Sequence, residues 1–316
     1  MKAAVVYRPG GPEVLTLEDR PIPNIKEGWT LVKVLGFGIN HSEIFTRQGL
    51  SPSVQFPRIL GIECVGEILQ TTNTQLETGQ LILSFMGEMG RDFDGSYAEY
   101  VLLPNKQIYP VSSHLSLESL IALPETVYTA YSSFQQLKIK EKNTVLVRGA
   151  TSGVGVTFAK LIKAAFPKIH LAGTSRKTDK TDLLKSAGFD EMILDKDNTL
   201  KTEKSFDRIF DLIGPKAFED NLIHLNNQGI MCTTGLLGGQ WSIPNLDPIE
   251  QLGCGVYLTA FHSGFVNKER IQEMINFVEK HHIDITPEKI FSLDQIQEAH
   301  AYLESRQSFG KIIVKL

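Results

Sequence analysis

The stretch VLVRGATSGVGVTF, residues 145–158, places three glycines between a short apolar run and a helical pattern. The run Val145-Leu146-Val147 predicts a buried strand, and residues 156–165 carry apolar side chains at helical spacing. Glycine permits a sharp turn after the strand and a close approach of the backbone to a ligand. The first amides of the next helix favour a pyrophosphate. Because a tight turn that binds nothing gives the same GxxxGxG spacing, the motif alone leaves both interpretations open.

Candidate strands and helices alternate from residue 144 onward, after a helical stretch predicted from about Ser116 through Leu137. This alternation predicts a parallel, doubly wound sheet covered by helices, in an α/β fold. The first hundred residues instead show short alternating segments between glycine and proline turns, which predict a β-rich domain. The closing strand KIIVKL has no helical partner and can return to that first domain.

Composition limits the classes of function that this chain can serve. The chain has 316 residues, enough for two domains, of which 42% are hydrophobic and 22% charged. A net charge of −4 gives no electrostatic footprint for nucleic acid or for an anionic membrane. Neither a signal-peptide core nor a run long enough to span a bilayer occurs. We therefore expect a cytoplasmic protein with a small-molecule substrate, and no nucleic-acid or membrane partner.

The three cysteines, Cys64, Cys232 and Cys254, lie far apart in the sequence. Their spacing matches neither a metal-ligand cluster nor a disulfide framework. Each stands among small or apolar residues, so we expect buried thiols that take no part in chemistry.

The end of the second predicted strand indicates which nucleotide is bound. A carboxylate at this position usually holds the ribose 2′-hydroxyl of NAD. Here the strand ends in Ser175-Arg176-Lys177, with Lys180 one turn further on. Because cations can hold a 2′-phosphate through charge-assisted hydrogen bonds, NADP(H) is the predicted cofactor. The alternative is a basic, solvated helix start without a ligand.

Several segments together resemble the medium-chain dehydrogenase/reductase superfamily, in its zinc-independent, quinone oxidoreductase-like branch. They occur in the family's order over essentially the whole chain: GINHSEIFTRQG, PRILGIECVGEI, GSYAEYVLLP, ALPETVYTAYSSF, RGATSGVG, SFDRIFDLIG and SFGKIIVKL. The resemblance implies a GroES-like catalytic domain formed by residues 1–121 and 263–316. It also implies a Rossmann-type NADP-binding domain over residues 122–262, with the active site in the cleft between the two domains. Homodimers are usual in this family, and the edge strand near residues 255–261 is the expected pairing site.

Departures from the zinc-dependent members argue against a metal site. Those enzymes carry a catalytic Cys where this chain has Asn40, and a His where it has Ile62. The segment GEMGRDFDGS also lacks the closely spaced cysteines of a metal-binding lobe. Catalytic zinc needs about three protein ligands, and His41 with Glu63 does not supply them. We therefore expect no metal.

The resemblance also implies roles for individual residues. Asn40 and His41 are the catalytic candidates: Asn40 would hold a carboxamide or a substrate carbonyl, and His41 could donate a proton. For Asn40, a turn residue that satisfies local backbone is an equal alternative, and His41 is otherwise structural. The cofactor-binding candidates are Asn40, Thr126, Gly149, Ser152, Gly153, Val154, Gly155, Ser175, Arg176, Lys177, Lys180, Gly235 and Lys311.

Four further positions carry open questions. Arg47 is interpreted either as a surface cation or as a ligand contact, and Tyr128 as a cofactor neighbour or as core packing. Phe45 stands where several quinone reductases have a Tyr, so a step assisted by that hydroxyl is excluded. Asp195 stands where some relatives have a Tyr near the adenosine phosphate, and its charge would repel a 2′-phosphate.

These observations predict an NADPH-dependent, zinc-independent oxidoreductase that transfers hydride to a quinone or another conjugated carbonyl. Substrate would bind near residues 45–56, 85–93 and 235–239. The alternative is an NADPH-binding sensor or crystallin-like protein without efficient catalysis.

Overall fold

The structure is a computed structural model, and it describes residues 1–253, 255–305 and 307–316. Cys254, which the sequence predicts to be buried, lies outside the described residues. Within them, Cys64 and Cys232 are buried free thiols, as the sequence predicts.

The strands, in chain order, are β1 (Lys2–Val6), β2 (Leu15–Asp19), β3 (Trp29–Gly38), β4 (Arg58–Ile59), β5 (Glu63–Thr71), β6 (Leu81–Phe85), β7 (Tyr100–Pro104), β8 (Tyr109–Pro110), β9 (Thr144–Arg148), β10 (His170–Ser175), β11 (Glu191–Lys196), β12 (Thr199–Leu200), β13 (Phe206–Asp211), β14 (Leu225–Thr233), β15 (Tyr257–Ala260), β16 (Lys289–Phe291) and β17 (Ile312–Lys315).

The α-helices, in chain order, are α1 (His41–Arg47), α2 (Leu117–Ala122), α3 (Pro124–Gln136), α4 (Gly153–Ala165), α5 (Thr181–Ser186), α6 (Phe218–Ile223), α7 (Pro248–Leu252), α8 (Lys268–Lys280) and α9 (Ile296–Glu304). Short 3-10 turns occur at Pro12–Val14, Asn105–Gln107, Thr178–Lys180, Pro215–Ala217 and Leu293–Gln295.

The chain divides into two compact units. Unit 1 contains Met1–Glu125, Gly264–Glu279 and Ile285–Leu316, and unit 2 contains Thr126–Ser263 and Lys280–Asp284. The sequence predicts boundaries between independently folding domains at residues 121/122 and 262/263, and these boundaries stay predictions.

Unit 1 is β-rich and is formed by both ends of the chain. Its larger sheet has the order β16-β17-β3-β5-β6-β8, with β7 also paired to β3, and a smaller sheet has the order β2-β1-β4. The closing strand β17 pairs antiparallel with β3, so the prediction that it returns to the first domain is confirmed. The core of this unit includes Phe37, Tyr97 and Ile296.

Unit 2 is a parallel sheet covered by helices. Its strand order is β12-β11-β10-β9-β13-β14-β15, and every pair from β11 to β15 is parallel. Without the short antiparallel strand β12, this is the 3-2-1-4-5-6 order of a dinucleotide-binding fold. The α/β fold class with a GroES-like and a Rossmann-type part is thus confirmed.

Two helix predictions differ from the structure. The helical stretch predicted from Ser116 through Leu137 is divided into α2 and α3 at Leu123, because Pro124 has no N–H to continue the first helix. Helix α4 begins at Gly153, three residues before its apolar pattern, because Ser152 caps its N-terminus.

Candidate functional site

The turn between β9 and α4 in unit 2 has the geometry of a phosphate-binding loop. Gly149 adopts a left-handed φ of 86°, which turns the chain sharply out of the strand. The Ser152 hydroxyl donates to Gly149 O at 2.8 Å, and its oxygen accepts from Gly155 N–H at 3.1 Å. This serine therefore closes the turn and caps the helix.

Gly155 lies where a side chain has no room. A Cβ at this position would lie 2.7 Å from Gly149 O and 2.8 Å from Ala150 Cα. Glycine thus brings the start of α4 against the end of β9. The N–H groups of Gly153 and Val154 belong to the first helical turn and have no intrahelical acceptor, so they can receive an anion.

This turn lies where the strand order of the sheet reverses. Strand β9 connects through α4 to β10 on one side, whereas its neighbour β13 connects through α6 to β14 on the other side. Ligands of doubly wound sheets bind at the point where the connections diverge in this way. The loops after β13 and β14 converge there, since a Cβ at Gly149 would meet Leu212, Leu237 and Ile213. Gly235 packs directly on the Leu212 backbone. Glycines in this arrangement are typical of a dinucleotide-binding turn.

The predicted basic positions follow β10 directly. Ser175 is the last residue of that strand and is buried, while Arg176 and Lys177 are exposed. Lys180 ends the following 3-10 turn and is partly buried. The structure therefore keeps these four residues together at the carboxyl end of β10, the strand next to the glycine turn.

Asp195, which was expected to repel a 2′-phosphate, is neutralised within unit 2. Its carboxylate accepts two hydrogen bonds from the Arg148 guanidinium, at 2.7 Å and 3.1 Å. Arg148 is fully buried and also forms an ion pair with Asp220 at 2.8 Å. The sequence interpretation missed Arg148, although this residue directly precedes the first glycine of the turn.

Two other candidates in unit 2 are buried. Thr126, in the first turn of α3, is 2% exposed. The side chain of Tyr128 is fully buried, and its ring lies 5.8 Å from that of Phe261, so the core-packing interpretation is confirmed.

A polar triangle in unit 1 joins the partly buried Asn40 to the buried Glu63 and Lys311. The Lys311 ammonium donates to Asn40 Oδ1 and to Glu63 Oε1, each at 2.6 Å. Asn40 Nδ2 donates to the same Glu63 oxygen at 3.0 Å. Asn40 is the N-cap residue of α1, but its carboxamide bonds to side chains 23 and 271 residues away in the sequence.

Glu43 lies beside this triangle and is fully buried. Burial, with the Glu63 carboxylate nearby, raises the pKa of Glu43 to about 7, against the opposing effect of Lys311. Its carboxylate accepts from Asn40 N–H at 3.0 Å and from Ile62 N–H at 3.3 Å. The sequence interpretation did not find Glu43, because nothing in HSEIFTRQG shows that this one carboxyl faces the core.

A chain of buried side chains continues from Glu43. Burial, with the carboxylates of Glu43 and Glu63 nearby, raises the pKa of Tyr97 well above its usual range, and the Tyr97 hydroxyl bonds to His300 Nε2 at 2.9 Å. Burial, together with Arg47, lowers the pKa of His300 to about 3, so the ring is neutral. Because arginine only donates, His300 Nδ1 accepts from Arg47 and Nε2–H donates to Tyr97.

The interpretation of Arg47 as a surface cation is wrong. Its side chain is fully buried and donates to Gly10 O, His300 Nδ1 and Glu304. The same burial leaves no surface for a ligand contact. His41 and Phe45, both on α1, are partly exposed.

The side chains at positions 40, 62 and 63 do not fit a zinc ion. Ile62 has no donor atom, and the facing oxygens of Asn40 and Glu63 are both bound by the Lys311 ammonium. Among the residues that the structure describes, no group of three His, Cys, Asp or Glu could hold a metal ion. The same search of described residues finds no helix long and apolar enough to cross a membrane.

Two family descriptions match the chain. "Alcohol dehydrogenase GroES-like domain" matches residues 26–113, and "Zinc-binding dehydrogenase" matches residues 187–314.

Curated relatives are similar over most of the chain. A 2-methylene-furan-3-one reductase of Solanum lycopersicum is 26% identical and covers 99% of this chain and 79% of its own. The putative quinone oxidoreductase YhfP of Bacillus subtilis is 28% identical over 72% of this chain and 70% of its own. An NADPH-dependent alkenal/one oxidoreductase of Arabidopsis thaliana is 24% identical over 99% of this chain and 79% of its own.

Solved structures share the fold over the whole chain. The Salmonella enterica yhdH oxidoreductase, in complex with NADP, has a TM-score of 0.86 at 19% identity and covers 100% of both chains. A quinone oxidoreductase from Coxiella burnetii has a TM-score of 0.83 at 23% identity over 100% of this chain and 99% of its own. An NAD-dependent alcohol dehydrogenase has a TM-score of 0.84 at 24% identity over 100% of both chains.

The fold and these similarities together define an oxidoreductase. The chain belongs to the medium-chain dehydrogenase/reductase superfamily, in its quinone oxidoreductase-like branch.

Proposed function

We propose that this protein is an NADPH-dependent, zinc-independent oxidoreductase that reduces a quinone or another conjugated carbonyl. The observation that carries this proposal is the β9–α4 turn, in which Gly155 has no room for a Cβ and so brings the start of α4 against the end of β9. The relatives named as a furanone reductase, an alkenal/one oxidoreductase and a quinone oxidoreductase support this class of acceptor.

The cofactor would be held by residues of unit 2. The first-turn N–H groups of Gly153 and Val154 would bind the pyrophosphate. Thr126 and Gly235 would lie beside the bound cofactor. Arg176, Lys177 and Lys180, with Ser175, would hold the 2′-phosphate. Arg148 supports this preference for NADP(H), because it neutralises Asp195 within the sheet. NADPH supplies the hydride.

The residues of unit 1 would act on the acceptor without a metal. Asn40 would orient the nicotinamide carboxamide or the acceptor carbonyl through its amide, and His41 is the proposed proton donor. Zinc independence is supported by the donor set, since Lys311 already occupies the facing oxygens of Asn40 and Glu63.

We also propose that the enzyme works in the cytoplasm as a homodimer. Free, buried Cys64 and Cys232 fit a reducing compartment. The strand β15 lies at one end of its sheet and exposes Tyr257 and Leu258, which fits pairing with a second copy.

The activity is tested by mixing the purified protein with NADPH or NADH and a panel of quinones and enones, and following oxidation of the nicotinamide by absorbance. We expect turnover with at least one acceptor and tighter binding of NADPH than of NADH in a fluorescence titration. NADPH binding without turnover of any acceptor would instead favour the sensor alternative.

A glycine variant tests the proposed cofactor site directly. Gly155→Ala should weaken NADPH binding about ten-fold or more, because its Cβ displaces the turn from α4. The control is Gly11→Ala in unit 1, where φ is −74° and an added Cβ meets only the end of the Glu13 side chain, which can move aside. Equal NADPH affinity of the two variants would contradict the assignment of this turn.

A further inference from the structure

The Lys311 ammonium is held almost out of contact with solvent in unit 1. Lys311 is 8% exposed and Glu63 is fully buried. A buried ammonium is stable only when it is paired and hydrogen-bonded, and here Glu63 Oε1 and Asn40 Oδ1 each accept from it at 2.6 Å. The lysine is therefore fixed between these two side chains.

This contact fixes the orientation of the Asn40 carboxamide. An ammonium only donates, so the Asn40 atom that faces it must be the oxygen. Nδ2 then faces Glu63 Oε1, to which it donates at 3.0 Å. The flipped amide would place two donors against each other and two acceptors against each other, so both contacts would be lost.

The surrounding backbone leaves space for this arrangement. Gly38 has no Cβ, and one built there would collide with the Glu63 carboxylate and with the Cε and Nζ atoms of Lys311. The other Glu63 oxygen accepts from Glu125 N–H at 2.6 Å, which fixes the carboxylate from the opposite end. In the described part of the chain Asn40 Nδ2 donates one hydrogen bond, which leaves its second proton for a bound ligand.

We propose that Lys311 is a positioning residue, which with Glu63 orients the Asn40 carboxamide so that its remaining amide proton is presented to an oxygen of the acceptor or of the nicotinamide carboxamide. This inference rests on the proposed function, in which Asn40 acts on one of those groups. It replaces the prediction that Lys311 binds the cofactor directly.

Kinetics of Lys311→Met separate the two roles. A positioning role predicts that kcat for the acceptor falls about ten- to hundred-fold, because a misplaced group costs rate. The dissociation constant for NADPH should change by less than about three-fold, since no cofactor contact is removed. Lys311→Arg should restore part of kcat. An unchanged kcat with NADPH binding weakened about ten-fold would overturn the proposal and restore the direct contact.

Matched variants separate positioning from general damage. Gly38→Ala keeps every functional group but displaces Lys311, so it should lower kcat in the same direction. Lys315→Met removes a partly exposed Lys–Glu pair at the far end of β17, the strand that Lys311 directly precedes, and should change nothing. If Gly38→Ala matches Lys315→Met, position 311 does not orient Asn40. Should Lys311→Met fail to fold, Lys311→Met/Glu63→Gln removes both buried charges together and serves in its place.

A spectroscopic measurement keeps this inference separate from the proposed function. In protein labelled with ¹⁵N-asparagine, the side-chain amide of Asn40 is assigned by its loss in Asn40→Ala. Its two proton resonances should shift and exchange faster in Lys311→Met than in Lys315→Met, whether or not any acceptor is reduced. An unchanged Asn40 signal would overturn the positioning role, whereas absent turnover with a changed signal would overturn only the proposed function.

Discussion

The buried carboxyl of Glu43 shows how strongly position alters a single residue. Burial raises its pKa from 4.5 to about 7, and the neighbours that face it are Glu63, Lys311, Tyr97 and Glu125. A raised pKa means that the folded state binds the proton more tightly than the unfolded state. The stability that the protonated Glu43 carboxyl contributes to the folded state is therefore fully present below about pH 4.5, and it is lost as the pH rises through about 7.

Glu43→Gln should remove this pH dependence. Between pH 5 and pH 8, the free energy of unfolding of the wild type should fall relative to that of the variant by about 2–3 kcal/mol. Urea denaturation at several pH values measures the difference. Glu118→Gln is the control, because Lys315 lowers the pKa of this partly exposed carboxylate, so that the variant should show the same pH dependence as the wild type between pH 5 and pH 8. Parallel pH curves for the wild type and Glu43→Gln would show that Glu43 keeps an ordinary pKa.

The sequence predicted only part of the candidate site at this scale. Asn40 and Lys311 stood out through the resemblance, and the structure brings them together. The partners Glu63 and His300 come from other segments, and long-range contacts of this kind leave no local signal. Glu43 lies three residues after Asn40, but nothing in its own segment shows that its carboxyl is buried. Arg47 is buried and is not a surface cation, because it bonds to Gly10 and Glu304. Both partners lie far from it in the sequence, so the local pattern could not show this.

Among the secondary-structure elements, strands β9 and β11 are joined by the ion pair of Arg148 with Asp195. Arg148→Met should lower the free energy of unfolding by about 3–5 kcal/mol, because it leaves buried carboxylates without their cation. Thermal and urea unfolding measure the loss. The control, Lys160→Met, removes a more exposed pair with Asp284 and should cost less than about 1 kcal/mol. Equal losses in the two variants would contradict a stabilising role for the buried pair.

Most elements of unit 2 follow from local pattern. The strand–turn–helix order from β9 to α4, and the alternation of strands and helices that follows it, are visible as apolar periodicity with turn residues. Short strands such as β4, β12 and β16 were not predicted. A strand of two or three residues is too short to show an alternation of apolar and polar side chains, so it is defined only by the strand with which it pairs.

For the whole molecule, the exposed edge of the unit 2 sheet carries the prediction of a homodimer. Strand β15 pairs with β14 on one side, and its Tyr257 and Leu258 are 56% and 38% exposed. Leu258→Lys should convert dimers to monomers, because charge on an edge strand opposes pairing with another strand. Light scattering coupled to size-exclusion chromatography measures the mass. Ile223→Lys, at another exposed apolar residue, is the control. A wild type that elutes as a monomer would contradict the prediction.

The missing side chain at position 38 has a consequence for the history of this protein. A side chain there and the present position of the Lys311 ammonium exclude each other, although the two residues lie far apart in the sequence. We therefore expect them to covary among related enzymes, with substitutions at one site arising only on backgrounds already altered at the other.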